Sequence, residues 1–179
     1  MSPAAVHVRP LDRWTAGHAV DTVFAQLSPR SRYLRFHSAV PRLPGPVRAA
    51  LVDLDGRSRA AVVAETCGPG GPAPVGIARI ARTDPGTAEI AVAVVDDWQR
   101  QGIGRLLVSA VATLGEELGY TALRGGVLPE NVAMLGLARS VFPPATRHFD
   151  GDVIQLAVPL GPAAWTVTDE DVLADLVSR

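Results

Sequence analysis

Three strand-like segments followed by one long amphipathic helix constrain the fold of this 179-residue chain more than any other feature. Residues 59–66 (RAAVVAET), 75–83 (VGIARIART) and 87–96 (TAEIAVAVVD) are rich in apolar residues and are separated by glycine- and proline-containing turns. Such spacing is typical of an antiparallel meander. The helix predicted over 102–118 follows directly, and Gly119 is suited to end it in the left-handed conformation. Its apolar residues recur at helical spacing at Ile103, Leu106, Leu107, Ala110, Leu114 and Leu118.

The residues before this meander predict one more strand and two or more helices. Residues 6–9 alternate as a short strand, and Asp12 is suited to cap a helix. Ser28-Pro29 either ends that helix or begins the next one, since proline is accepted in a first helical turn. A short helix is expected over 47–54. The first helix is predicted to face the core with Trp14, Val20, Val23, Phe24 and Leu27.

The residues after the long helix predict a strand, a helix and a hairpin. The strand is expected over 121–128, the helix over 130–140, and the hairpin turns at Asp150-Gly151. The whole order indicates a single α/β domain over 1–160, with a mixed, mostly antiparallel sheet flanked by helices. Residues 161–179 are expected to form a C-terminal tail with a short helix that begins near 169–171.

Composition excludes several kinds of chemistry. All 17 basic residues are arginine, and 18 acidic residues leave a formal charge of −1, which argues against a nucleic-acid binder with a basic surface. A chain without lysine cannot form a Walker phosphate loop or a Schiff base. The single Cys67, expected in a loop, and four scattered histidines give no metal-binding spacing. Without an apolar run of about 20 residues or a signal peptide, a cytoplasmic protein away from membranes is expected.

The turn before the long helix carries the strongest functional signal. In VAVVDDWQRQGIGRLL (92–107) the strand runs through a glycine-bearing turn into the helix. Gly102 and Gly104 permit close approach of a ligand, and free N–H groups of the first helical turn bind pyrophosphate. A ligand-free structural turn is one alternative. A dinucleotide-binding turn is another, although Leu107 replaces its third glycine and the preceding strands are antiparallel.

A third interpretation rests on a family resemblance. Gln99, Gly102 and Gly104 resemble motif A, Q/R-x-x-G-x-G/A, of the GNAT superfamily of acyl-CoA-dependent acyltransferases. The predicted order of elements over residues 5–160 resembles the GNAT fold as well. The resemblance implies acetyl-CoA as co-substrate, with one strand N–H group polarising the thioester carbonyl. The implied coenzyme contacts are Val92, Ala93, Val94, Gln99, Arg100, Gln101, Gly102, Ile103, Gly104, Arg105 and Asn131.

Within that superfamily, three segments resemble the bacterial branch that acetylates lysines on other proteins: LSPRSRYLRF (27–36), AEIAVAVVDDWQRQGIG (88–104) and NVAMLGLAR (131–139). This resemblance implies a protein lysine as acceptor and Glu89 as general base, ten residues before Gln99. A base is needed because lysine has an ordinary pKa of about 10.4 and only the neutral amine attacks. The alternative for Glu89 is a solvated strand residue.

Two departures from the family pattern leave alternatives open. Ala138 stands where many relatives have a tyrosine that protonates the leaving thiolate, and Phe142-Pro143 replaces the usual Gly-Phe at the end of that helix. A small amine as acceptor and a non-catalytic acyl-CoA-binding module are therefore retained, as are both a monomer and a homodimer. Three arginines at 30, 32 and 35 either bind phosphate or an acidic partner surface, or form the solvated face of a helix. The two aspartates at 96 and 97 are expected to form a turn.

Overall fold

The computed structural model describes residues 6–68 and 70–161, and in these ranges seven strands form one sheet. Its spatial order is β1-β2-β3-β4-β5-β7-β6; β4 and β5 run parallel, and the other neighbouring pairs are antiparallel. The mixed, mostly antiparallel sheet is thus confirmed. The strands are β1 (Val6–Pro10), β2 (Arg59–Gly68), β3 (Gly71–Asp84), β4 (Thr87–Val94), β5 (Ala122–Val127), β6 (Thr146–Asp150) and β7 (Val153–Pro159).

Helices cover both faces of the sheet. Between β1 and β2 the chain forms three helices, because Ser28 caps a new helix whose first residue is Pro29, so Ser28-Pro29 begins the second helix. None of the helices in the described ranges is long and apolar enough to cross a membrane. The helices are α1 (Arg13–Gln26), α2 (Pro29–Phe36), α3 (Gly45–Val52), α4 (Ile103–Glu117) and α5 (Val132–Val141), with a 3₁₀ turn at Asp96–Trp98.

The long helix α4 forms the main core against one face of β2, β3 and β4. Leu107, Val108 and Val111 on α4 are fully buried, as is Ile80 on β3. The predicted helix of 102–118 is confirmed to within one residue at each end, and Gly119 has a φ of +83°, the left-handed conformation expected after a helix end.

The prediction that Trp14 faces the core is wrong. Its side chain is 80% exposed and lies against the guanidinium of Arg13, whose central carbon is 4.3 Å from the indole centroid. The buried residues of α1 are Ala16, Ala19, Val20 and Val23, which share one helical face. Trp14 precedes the buried Ala16 by two residues. Two residues of an α-helix rotate the side-chain direction by about 200°, so Trp14 points away from the buried face.

The β2–β3 hairpin is longer than the sequence indicates. Cys67 lies in β2 opposite Pro72, and β3 begins at Gly71, so this glycine- and proline-rich stretch is largely strand rather than loop. Prolines are accepted near strand ends, where a missing N–H costs little. The second predicted hairpin is confirmed: β6 and β7 meet at Asp150 and Val153, with Gly151 at φ +60°. The predicted tail helix lies outside the described residues.

The parallel pairing of β4 with β5 is short, and it leaves an opening between the two strands. It covers residues 87–89 of β4 and 122–124 of β5. Beyond Glu89, β4 continues to Val94 beside β3, whereas β5 continues to Val127 beside β7. The two strands therefore diverge into an opening in the middle of the sheet, which we call the β4–β5 opening.

Replacing either of two adjacent leucines of α4 should lower the free energy of unfolding by different amounts. Leu107 is fully buried and Leu106 is 49% exposed. We expect Leu107→Ala to lower the free energy of unfolding by about 2–5 kcal/mol, because a buried cavity remains. Leu106→Ala, the matched control, should cost less than about 1 kcal/mol. Urea unfolding followed by circular dichroism measures both, and equal losses would contradict this packing.

Candidate active site

The β4–β5 opening leaves strand backbone groups available to a ligand. Within the described residues, Ile90–Val94 pair with β3 on one side and have no strand partner on the other. Alternate backbone groups of this stretch point into the opening. Val92 and Val94 pack towards α4, whereas Ala93 faces the opposite side. The predicted contact strand of residues 92–94 thus lines the opening.

The glycine turn, residues 99–104, closes one end of this opening. Arg100 and Gly102 have left-handed backbones, with φ of +63° and +83°, and lead directly into α4. The Gln99 amide holds the turn by donating to the Val94 carbonyl oxygen at 2.9 Å and to the Ser31 hydroxyl at 3.2 Å. Gln101 donates to the Asp97 carbonyl oxygen at 2.9 Å.

The first turn of α4 is suited to an anion. No side chain caps the helix at Gly102, and a Cβ built on that residue meets nothing within 4 Å. The N–H groups of the first helical turn lack intrahelical partners and lie at the positive end of the helix dipole. With Arg100 beside them, these groups offer the N–H donors and positive charge that a phosphate or pyrophosphate prefers.

Residues on α5 form the other side of this turn. Gly104 permits close packing of α4 on α5, since a Cβ built there would lie 3.2 Å from a Leu137 methyl carbon. Arg105 donates to the Ser140 hydroxyl at 3.1 Å and also joins these helices. Asn131 caps α5, its Oδ1 accepting from the Met134 N–H at 3.1 Å. Gly104 and Arg105 thus pack against α5 beside the turn, and Asn131 caps the start of that helix.

Asp96 connects the turn to α2, a link that the sequence analysis missed. Its carboxylate accepts from the Ser28 N–H at 2.9 Å, the Ser28 hydroxyl at 2.6 Å and the Ser31 hydroxyl at 2.9 Å. Partial burial works against ionisation, but these hydrogen bonds outweigh it and hold the pKa of Asp96 below its usual value. Asp96 is therefore an anchor for α2 rather than a simple turn former.

Helix α2 crosses the opening on the face opposite α4. From its anchor at Asp96 it extends to the far side, where the Tyr33 hydroxyl donates to Glu130 Oε1 at 3.2 Å. His37, just after α2, lies over β5: a Cβ built on Gly126 would be 3.6 Å from His37 Cε1. These contacts could not be predicted from local sequence patterns, since they join residues about 90 positions apart.

Glu89 lies at the point where β4 and β5 separate. It is exposed, and its register partner on β5 is Arg124. Because side chains alternate along a strand, Glu89 shares a face with Ala91 and Ala93, away from α4. This face is covered by α1, α2 and α3, and Ala91 and Ala93 on it line a narrow cleft with a volume of about 50 Å³.

The comparisons with known proteins agree with this geometry. The family described as Acetyltransferase (GNAT) matches residues 31–142. The chain has no significant match among curated proteins. It is similar to the GNAT domain of S. lividans PAT, at 25% identity and a TM-score of 0.76, over 87% of this chain and 90% of that chain.

Two further solved structures are similar in fold. One is the IAA acetyltransferase from Bacillus cereus ATCC 14579, at 20% identity and a TM-score of 0.57, over 87% of this chain and all of that chain. The other is the cAMP-binding acyltransferase from Mycobacterium smegmatis, at 22% identity and a TM-score of 0.59. That match covers 95% of this chain and 48% of that chain, so this chain spans about half of that protein.

The family match, together with this fold, places the chain among the acyl-CoA-dependent acyltransferases. The chain belongs to the Acetyltransferase (GNAT) family. Enzymes of this family use acetyl-CoA as co-substrate. Within residues 6–68 and 70–161, histidine, cysteine and carboxylate side chains form no group of three or more that would hold a metal ion.

The Asp96 anchor predicts a pH-dependent contribution to stability. A carboxylate whose pKa is lowered by folding stabilises the protein above its unfolded pKa, and this stability is lost as the pH falls through the folded pKa. Asp96→Asn should therefore lower the free energy of unfolding by about 1–2 kcal/mol at pH 7, and the difference should shrink below about pH 4.

The matched control for this prediction is Asp97→Asn, which changes an exposed neighbouring residue. Urea unfolding of the wild type and both variants at pH 7 and pH 3 measures the effect. A pH-independent difference for Asp96→Asn, or an equal loss in Asp97→Asn, would show that the carboxylate of Asp96 does not anchor α2 in this way.

Proposed function

We propose that this protein transfers the acetyl group of acetyl-CoA to a primary amine, with a lysine of another protein as the acceptor, by direct attack in a ternary complex. The observation that carries this proposal is the position of Glu89 at the point where β4 and β5 separate. A thioester inside the opening and an amine arriving from the α2 side would meet beside this carboxylate.

Acetyl-CoA would bind along the opening and the glycine turn. The pantetheine arm would take the place of a strand beside β4, with an N–H group of residues 92–94 donating to the thioester oxygen. The pyrophosphate would lie at the first turn of α4. The residues proposed to contact the pyrophosphate end of the coenzyme are Gln99, Arg100, Gln101, Gly102, Ile103, Gly104 and Arg105, together with Asn131 at the N-terminus of α5.

The chemical step begins with a proton transfer. Glu89, directly or through one water molecule, takes a proton from the ammonium group, and the neutral nitrogen attacks the thioester carbonyl carbon. The new C–N bond forms as the C–S bond breaks. The nitrogen, positively charged after the attack, loses its second proton to water, and the coenzyme leaves as a thiolate that takes one proton back from water. Water supplies the proton to the thiolate because Ala138, a buried residue, occupies the position of the family's usual tyrosine.

Support for a protein lysine comes from the three sequence segments described above and from the similarity to the GNAT domain of S. lividans PAT. A small amine remains the second candidate acceptor, because Phe142-Pro143 departs from the family pattern at the end of α5. In either case the protein has no lysine of its own, so acetylation of its own side-chain amines does not obscure an assay.

Replacement of Glu89 tests the assigned base. Glu89→Gln should reduce kcat at pH 7 by roughly 10²–10⁴-fold, the usual contribution of a positioned base, while acetyl-CoA still binds. Thiol release with a lysine peptide measures the rate, and calorimetry measures binding. Glu117→Gln, an exposed residue near the far end of α4, is the matched control. Undiminished activity of Glu89→Gln would show that Glu89 is not the base.

A further inference from the structure

Two arginines from different elements lie in the cleft next to Glu89. Arg35 comes from α2 and Arg79 from β3, and every other residue lining the cleft is apolar. The apolar lining includes Phe24, Leu27, Phe36, Ile77, Ala91 and Ala93. Both arginines are only partly exposed, and a charge held among apolar groups is costly unless it is paired.

Neither arginine has a carboxylate partner within the described residues. Arg79 donates one N–H to the Ala50 carbonyl oxygen at 2.9 Å, but its Nε is buried without a partner. Arg35 lies against the Phe36 ring, with 4.9 Å from its central guanidinium carbon to the ring centroid, and forms no ion pair there. By contrast, Arg9 and Arg48 each form a two-pronged pair with a carboxylate.

The electrostatics of the cleft show an excess of positive charge. Burial, together with the charge of Arg79, lowers the pKa of Arg35 to about 10, so Arg35 remains protonated at neutral pH. Burial also lowers the pKa of Arg79, and the charge of Arg59 adds to this. Glu89 favours the charged form of both Arg35 and Arg79. Asp53 and Asp55, which form ion pairs with Arg59, also favour the charged form of Arg79.

An acceptor with only a positive charge would add to this excess. A lysine ammonium beside Glu89 would bring a third cation near Arg35 and Arg79, and the proton passed to Glu89 would then neutralise the carboxylate that favours the charge of both arginines. A negative group on the acceptor would balance the two arginines, and a carboxylate matches the planar guanidinium fork in shape and charge.

The register of the sheet places this charge close to the reacting amine. Arg79 pairs with Ala91, two residues after Glu89 on β4, so Arg79 and Glu89 are diagonal neighbours on one face. Such neighbours have Cα atoms about 7–8 Å apart. A group bound at the arginines would therefore lie within about one or two residue lengths of an amine at Glu89.

We infer that the acceptor carries a carboxylate close to its reactive amine and that Arg35 and Arg79 bind this carboxylate. The inference rests on the proposed transfer to an amine and adds the chemical class of the acceptor. The carboxylate belongs either to an acidic residue next to the target lysine or to a small amino acid. The shared chemistry is an amine and a carboxylate on one acceptor.

Matched acceptors test this class. One pair is the peptides acetyl-Asp-Lys-Asp-amide and acetyl-Asn-Lys-Asn-amide, and the other is leucine and leucinamide. We expect the wild type to prefer the charged member of at least one pair by about tenfold or more in kcat/KM. Preference within the peptide pair identifies a protein source, and preference within the leucine pair identifies a small amine. No preference in either pair would overturn the inference.

Variants then assign the preference to the two arginines. Arg35→Met and Arg79→Met should each reduce the charged-to-neutral ratio of kcat/KM by about tenfold, whereas Arg35→Lys and Arg79→Lys, which keep the charge, should retain part of it. Arg30→Gln on α2 and Arg82→Gln on β3 replace exposed arginines and should keep the wild-type ratio. Equal loss on both acceptors would indicate a purely structural role and contradict the inference.

A binding measurement separates this inference from the proposed transfer. Calorimetry of each charged and neutral acceptor with the protein saturated with CoA requires no turnover. If no acceptor is acetylated but the charged one binds more tightly, and this difference is lost in Arg35→Met and Arg79→Met, the transfer proposal fails and the carboxylate site stands. If acceptors are acetylated and bound without regard to charge, the transfer stands and the carboxylate site fails.

Discussion

The rest of the structure depends on the three-residue contact between β4 and β5. A parallel pair of full length would have satisfied every backbone group of β4 and left no space for a ligand. Because the pairing stops at Glu89, the strand has one side held by β3 and one side free. The opening, the glycine turn at its end and the carboxylate at its origin all follow from this one feature.

The packing around the opening keeps the two strands apart. On one face, α4 fills the core with Leu107, Val108 and Val111. On the other face, α2 is anchored at Asp96 and reaches Glu130 beyond β5. The opening is thus bordered by α4 on one face and by α2 on the other.

The parts of the structure that could be predicted from the sequence are those that depend on local signals. The meander, α4, the hairpin turn at Gly151 and the family itself were predicted from alternation, helical spacing and turn residues. The hydrogen bonds of Asp96 and the meeting of Arg35 with Arg79 were not, because these partners are 44–68 positions apart and only the folded sheet brings them together. The exposure of Trp14 was missed because an aromatic residue indicates burial only when it lies on the buried helix face.

The central claim is that the free side of β4 and the first turn of α4 bind acetyl-CoA. Hydrogen exchange with and without saturating acetyl-CoA tests it at single-residue resolution. The account predicts slower exchange for the amides of Val92 and Val94, which face the opening, and of residues 103–105, with β1 and the adjoining edge of β2 unchanged. No change in protection at β4 and α4 with millimolar acetyl-CoA would contradict it.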